Sequence, residues 1–299
     1  MPTKIELLKI RDFGEIITDT FVFVRENFKP LFKSFFVFSG IFLFVGALLL
    51  ALQQARMANG LSSIRFGPSQ TTFGQNDPFA IFTLNYFLGL FFMLFGYISL
   101  QITIFSFIAL YKQKENNPPS IEEVWGYFKY FFWRVIGSGI LIGILILIAS
   151  LFCLVPGIYL YPILSLVVPI MVYENASFGY AFNKSFKLIV NNWWLTFGAI
   201  IVMGLIVWVA ALVVLIPISL ANMANMFLHF SNGTSSGMVM SIITAVCQLV
   251  SHVLYILPIV TISLCYFNLS EQVDGAGLMA RINQIGNIIN EDSRPEEEH

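Results

Sequence analysis

Five stretches of this chain carry no Asp, Glu, Lys or Arg: residues 35–52, 80–111, 156–173, 195–220 and 238–267. A sixth, 132–154, carries Arg134 alone, close to its start. A helix rises about 1.5 Å per residue, so even the shortest run covers about 27 Å, close to the thickness of a bilayer's hydrocarbon core. Of the 299 residues, 57% are hydrophobic and only 11% charged, whereas soluble domains carry about 25% charged residues. Backbone in lipid has to satisfy its own hydrogen bonds, and runs of this length do so as helices. The expected fold is therefore an all-α membrane protein with six transmembrane helices. They form a single integral membrane domain over residues 1–290, followed by a disordered acidic tail over 291–299. The first twenty residues are charged throughout and hold no apolar core, so the first span is expected to act as its own insertion signal.

Three of the polar connections have helical periodicity. In residues 13–28, Phe13, Ile17, Phe21, Val24 and Phe28 recur at steps of three and four, with Glu15, Asp19, Arg25 and Glu26 on the other side. That spacing predicts an amphipathic helix lying in the interface or packed under the bundle, with a break at Pro30 before the first span. After Pro118 and Pro119, Ser120 and Glu123 form a capping-box pattern. The helix it opens places Ile121, Val124, Trp125 and Phe128 on one stripe. In residues 176–191, Phe178, Phe182, Ser185, Phe186 and Ile189 mark an inner face, and Asn183, Lys184 and Lys187 an outer one. Trp193 and Trp194 fit the aromatic belt where the fifth span begins.

The remaining connections read differently. Residues 53–79 are rich in Gly, Ser, Asn, Gln and Thr and predict a flexible loop. Residues 221–237 predict an uncharged loop; within it, Asn232-Gly233-Thr234 matches the short glycosylation sequon by chance. Val155-Pro156-Gly157 predicts a tight turn between spans three and four, since proline donates no backbone bond and glycine adopts turn geometry freely. Pro162 and Pro169 predict a kinked or broken fourth span. The whole pattern is threefold: three two-span hairpins, each preceded by a cytoplasmic amphipathic helix, the units beginning near residues 13, 120 and 176. A further surface helix in the tail is suggested by Leu278, Ile282, Ile285 and Ile289.

Charge sets the orientation. Counted by connection, 14 of the 16 Lys and Arg residues belong to the segments on one side, and only Arg56 and Arg65 to the other. The positive-inside rule then places both termini in the cytoplasm.

The spans offer little chemistry. None of the 17 acidic residues lies mid-span, and His252 is the one ionisable group well inside. Proton relays and cation pathways place acids or several histidines within the membrane, so the pattern argues against both. Gln248 and His252 are four apart on one face of span six, with Ser251 beside them. Such a cluster can hold a polar headgroup, and more often hydrogen-bonds to a neighbouring span. Ser99, Thr103 and Ser106 share a face in the same way. The three histidines, His229, His252 and His299, fall in separate places. Cys153, Cys247 and Cys265 lack ligand spacing and read as small packing residues. No metal, cofactor or catalytic residue is assigned, and no hydrolase, zinc-protease or phosphate-loop motif is present. Without a basic, aromatic stripe facing water, nucleic acid is not an expected partner. Glu174 is expected to cap the helix that follows it.

The stretch from Pro156 to Trp194 carries a composite motif. It has a Pro-Gly-Ile-Tyr opening (Pro156, Gly157, Ile158, Tyr159), then a proline and an acid at the end of a span (Pro169, Glu174). An Ala-x-x-x-Ser helix (Ala181, Ser185) and a Trp pair (Trp193, Trp194) follow. It resembles the membrane domain found with some glycerophosphodiester phosphodiesterases and the related YciC-like six-span bacterial membrane proteins. Pro162, Ile163 and Leu164 stand where a basic residue is expected after the opening, and no phosphodiesterase domain is part of this sequence, so neither phosphate binding nor the enzymatic activity carries over. The resemblance implies a multi-pass protein of the bacterial cytoplasmic (inner) membrane, of unknown or accessory function.

Two functions fit these readings. The first is a non-enzymatic accessory or scaffold protein that organises membrane lipids or a partner membrane protein, or assembles as a homo-oligomer, with Lys184 and Lys187 turned to anionic lipid or partner. The alternative is a transporter or flippase-like carrier of an amphipathic small molecule, using the kinked fourth span and the Gln248, Ser251 and His252 cluster. A hydrated cavity between spans four and six marks the carrier; a dry, packed joint marks the accessory protein.

Overall fold

A computed structural model describes residues 5–66, 84–114, 116–152, 154–228 and 237–275. Six helical stretches among them are long and apolar enough to cross a membrane: Phe28–Gln54, Leu84–Gln113, Ile121–Leu151, Val155–Tyr173, Trp193–Ala224 and Val239–Asp274. The protein is an all-α, multi-pass membrane protein. His229, the sequon at 232–234 and the tail helix fall outside the described residues.

Helix α1 (Phe13–Glu26) opens on a reciprocal cap. Asp12 Oδ1 accepts from Glu15 N at 2.7 Å, and Glu15 Oε2 accepts from Asp12 N at 3.3 Å. Lys9 Nζ, 2.9 Å from Glu15 Oε1, and the Asp12 amide together hold the Glu15 carboxyl below the usual carboxylate range. The buried face of α1 is Ile16, Thr20 and Phe23, continued by Asn27. The stripe of Phe13, Ile17, Phe21, Val24 and Phe28 lies about a quarter-turn away: Phe13, Phe21 and Phe28 are exposed, while Ile17 and Val24 pack partly buried against the core. Thr20 and Asn27 can enter the interior because their side chains donate to carbonyls of their own helix, Ile16 O at 2.8 Å and Phe23 O at 3.1 Å.

The chain turns at Asn27 into α2 (Phe28–Phe35), with Pro30 in its first turn, where a missing N–H breaks no helical bond. A π-helical turn (Phe36–Gly40) joins α2 to α3 (Ile41–Phe66). Residues 53–66 are therefore helical, not loop; Gln, Ala, Arg and Met are good helix formers, and extending an existing helix is easy. Helix α4 (Leu84–Gln113) packs antiparallel on α3. The contact is close enough that a Cβ on Gly46 would lie 2.9 Å from both the Met93 backbone nitrogen and its Cγ. Gly46→Ala is expected to destabilise the fold by about 1–2 kcal/mol, since backbone has to shift to admit the methyl. Gly204→Ala, where a Cβ meets nothing within 4 Å, is expected to be neutral or slightly stabilising. Unfolding midpoints in mixed micelles measure the difference, and equal midpoints for the two variants contradict this packing.

Ser120 and Glu123 cap α5 (Ile121–Phe152) reciprocally, at 2.8 and 3.3 Å. It runs as one helix through the predicted interfacial segment and span three. Val124 and Phe128 are buried, and Phe38 stacks on both Trp125 and Phe128. Pro156 and Gly157 are helical: both stand in the first turn of α6 (Leu154–Ser165), where proline's missing N–H breaks no helical bond. Gly157 is needed for close approach instead: a Cβ there would lie 2.5 Å from Ser150 Oγ on α5. Span four is the most enclosed of the six. It breaks at Leu166 between α6 and α7 (Val167–Tyr173), with Pro162 inside the first piece and Pro169, buried, in the second.

Helix α8 (Phe178–Ile189) packs on α6 and α7 and buries Ala181, Ser185, Leu188 and Ile189. Helix α9 (Trp193–Leu228) continues past the predicted end of span five at residue 220. The sixth span is also broken, into α10 (Gly237–Val253) and α11 (Ile256–Asp274). Pro258 explains the break: it cannot donate to the carbonyl of Leu254, and tight turns take over there, with Tyr255 N on His252 O and Leu257 N on Leu254 O, both at 3.1 Å.

Candidate functional site

The C-terminal half of α11 carries a run of polar residues, Asn268, Ser270, Glu271, Gln272 and Asp274, that ties together several parts of the chain. Its polar residues meet the N-terminal segment, the end of α4, the α7–α8 turn and α8. The turn itself follows from sequence. Asn175 takes the left-handed conformation at φ 49°, and Ala176 N reaches back to Met171 O at 3.2 Å, closing α7 with a Schellman-type cap. That geometry sets Glu174 at the helix end, facing α11. Tyr266 Oη donates to Glu174 Oε1 at 2.6 Å, and Lys184 Nζ lies 2.9 Å from the same oxygen. Lys184 also reaches Asp274 Oδ2 at 3.2 Å, which accepts from Ser270 Oγ.

Lys184 is thus an inward-facing clamp between the ends of α7 and α11, while Lys187 is exposed. The expectation that both lysines face outward holds only for Lys187. Burial disfavours the Lys184 charge, but its bonds to Glu174 and Asp274 outweigh that and raise its pKa above the ordinary lysine value. Nor does Glu174 cap α8. Ser177 does so, its Oγ accepting from Tyr180 N at 3.5 Å.

Arg11 forms a second knot beside the first. Its side chain is 1% exposed. Nε donates to Asp19 Oδ2 at 2.7 Å, Nη1 to Leu7 O and Lys9 O, and Nη2 to Glu6 O. Its backbone N donates to Asn268 Oδ1 at 2.9 Å, and Gln272 Nε2 donates to the same oxygen. Gln272 Oε1 in turn accepts from Asn192 Nδ2 at 2.6 Å. The sequence reading placed Asn268, Ser270, Glu271, Gln272 and Asp274 between the end of span six and the tail, and so missed this layer. The run Asn-Leu-Ser-Glu-Gln directly after a span was the available signal.

The ends of the Pro156–Trp194 motif meet. Trp193 stacks on Tyr159 and Phe197, and its Nε1 donates to Tyr159 O at 3.0 Å. Trp194 is exposed, packed edge-on to Trp193. Ser185 is buried, with its hydroxyl on Phe182 O.

The Gln248, Ser251 and His252 cluster is turned mainly to its own helix. Ser251 Oγ donates to Cys247 O at 3.0 Å, and His252 Nδ1 contacts Gln248 O. The His252 ring packs beside Tyr97 of α4. Gln248 Oε1 is buried with no hydrogen-bond partner among the described residues. Thr103 likewise donates to Ser99 O within α4. Bonds between elements come from other residues: Thr20 with Thr261, Tyr173 Oη to Ser263 Oγ at 2.7 Å, and Asn222 with Thr244. Among the described residues, no three of His, Cys, Asp and Glu converge as a metal site.

One groove opens beside this layer, between the end of α4, the first turns of α5 and the α7–α8 turn. It encloses about 460 Å³, and Gln113, Tyr127, Tyr130, Phe131, Tyr173 and Asn175 line it. Arg134 stands at its edge, donating to Asn175 Oδ1 at 3.1 Å, with its guanidinium 4.9 Å from the Tyr130 ring centre.

Comparison of the chain with models of protein families, with characterised proteins and with solved structures yields no match.

Proposed function

We propose that this integral membrane protein is a non-catalytic accessory protein of the bacterial cytoplasmic membrane, with its basic end and both termini in the cytoplasm, organising lipid or a partner protein there. The observation that carries this reading is the joint between the two broken spans. Tyr173 at the end of span four stacks on Phe267 at 4.9 Å, hydrogen-bonds Ser263, and packs beside Tyr266. At this joint side chains fill the space between spans four and six, where a carrier needs room for its cargo. The resemblance of the Pro156–Trp194 stretch to YciC-like proteins points the same way, and within it Tyr159 and Trp193 join α6 to α9. A carrier has one observation in its favour, the unpartnered Gln248 Oε1.

Cysteine accessibility separates the two. In membrane vesicles from a background with Cys153, Cys247 and Cys265 replaced by alanine, Ser263→Cys is expected to resist a membrane-impermeant maleimide from both sides. Lys187→Cys is expected to react from the cytoplasmic side only. Labelling of position 263 from either side moves the assignment to a carrier, and labelling of position 187 from outside reverses the orientation.

A further inference from the structure

We propose that the groove between α4, α5 and the α7–α8 turn holds the headgroup of an anionic phospholipid, with an acyl chain laid along α5. The inference rests on the reading of the protein as one that organises lipid, and names the lipid class and its seat.

The donors come first. Gln113 Nε2 donates to Tyr127 Oη at 2.6 Å, which leaves the phenol's own proton for an acceptor inside the groove. Arg134 spends Nη1 on Asn175 Oδ1. That bond directs the Asn175 amide group and leaves the other edge of the guanidinium unspent. Among the described residues no carboxylate lines the groove, and Arg134 makes no ion pair. Glu174, next to Tyr173 and Asn175, is committed to Tyr266 and Lys184. A site with a guanidinium, an amide and a phenol proton, and no anion of its own, suits an acceptor-only group such as a phosphate diester. A zwitterionic headgroup brings its ammonium toward Arg134 and is disfavoured.

The second observation selects a lipid over a free phosphate. From Tyr130 and Arg134, steps of three and four along α5 lead to Gly137, Leu141, Ile144, Ile148 and Leu151, and all five are exposed. This unbroken apolar stripe starts at the groove's edge and runs the length of the spanning part of α5. The groove's volume is in the range of small-molecule sites, enough for a headgroup whose chains leave along the stripe. Gly126 lines the groove, and a Cβ there meets nothing within 4 Å. A larger side chain at that position therefore enters the groove without disturbing the helix packing.

The test is native mass spectrometry of the full chain released from nanodiscs of equimolar phosphatidylglycerol and phosphatidylcholine. The wild type is expected to retain one phosphatidylglycerol, at about tenfold higher occupancy than phosphatidylcholine, corresponding to about 1.4 kcal/mol. Gly126→Leu and Arg134→Gln are each expected to abolish that preference while keeping the wild-type melting temperature; glycine to leucine in a helix favours folding. Equal retention of the two lipids by the wild type overturns the proposal. So does retention unchanged in Gly126→Leu, or displacement of the lipid by millimolar inorganic phosphate, which marks a soluble-anion pocket. Loss of phosphatidylglycerol preference with Ser263→Cys still unlabelled sinks the groove alone. Labelling at 263 with the preference intact sinks the accessory reading alone.

Discussion

Replacing Arg11 by methionine is expected to lower the unfolding free energy by roughly 3–4 kcal/mol, among the larger single-residue effects in the protein. Methionine keeps most of the side chain's length and removes every donor. The Asp19 carboxylate and the carbonyls of Glu6, Leu7 and Lys9 then lose their shared partner at once. Breaking a buried ion pair from one side costs about 3–5 kcal/mol. Asp19 is 27% exposed, so water recovers part of its charge, and the estimate sits at the lower end. Equilibrium unfolding in mixed micelles measures the loss, and limited proteolysis ahead of residue 12 is expected to accelerate with it. Arg11→Lys should restore only part, since a lysine can pair with Asp19 but cannot fork across three carbonyls. Adding Asp19→Asn to Arg11→Met should recover about 1 kcal/mol by removing the unpaired charge. A loss under about 1 kcal/mol for Arg11→Met means that the N-terminal segment is not anchored by this residue.

Arg11 also shows where a sequence reading stops. The six spans were legible because lipid imposes one chemical demand on every residue it touches, and runs without charge answer it. Which side of an apolar helix meets protein was not legible. Lipid and protein interior are alike to a hydrophobicity pattern, so Phe13, Phe21 and Phe28 marked α1 as a helix without showing that Ile16, Thr20 and Phe23 are the residues it buries. Span six shows a different failure. Its run of apolar residues is longer than one crossing requires, and Pro258 lies within it; both pointed to a break that apolar composition hides. The polar layer was legible only in part. The sign of Lys184 and Glu174 is in the sequence, and so is their closeness along the chain. Asp274 lies 90 residues from Lys184, and Asn268 lies 257 from Arg11, and no local pattern pairs residues so far apart. The lysine that looked free for lipid is therefore the one the fold keeps for itself.

That contrast makes Lys184→Glu the decisive substitution on α8. It places a third carboxylate between Glu174 and Asp274, whose oxygens now sit 2.9 and 3.2 Å from the ammonium. The expected loss of stability is roughly 2–3 kcal/mol, because partial exposure of all three groups screens the repulsion. Lys184→Met, which removes the attraction without adding charge, should fall about halfway between the wild type and Lys184→Glu. Lys187→Glu, three residues on and exposed, should change stability by less than about 0.5 kcal/mol while weakening binding to anionic vesicles. The pH dependence follows from the direction of the lysine's shift. A folded pKa raised above the unfolded one contributes in full below the unfolded value and is lost as pH rises through the folded value. The wild type's melting temperature should accordingly show no lysine-linked change between about pH 7 and about pH 9, and should fall only in strong base. If Lys184→Glu and Lys187→Glu instead lose the same small amount of stability and the same vesicle binding, both lysines serve the surface. The ends of α7 and α11 are then held by Tyr173, Tyr266 and Phe267 alone.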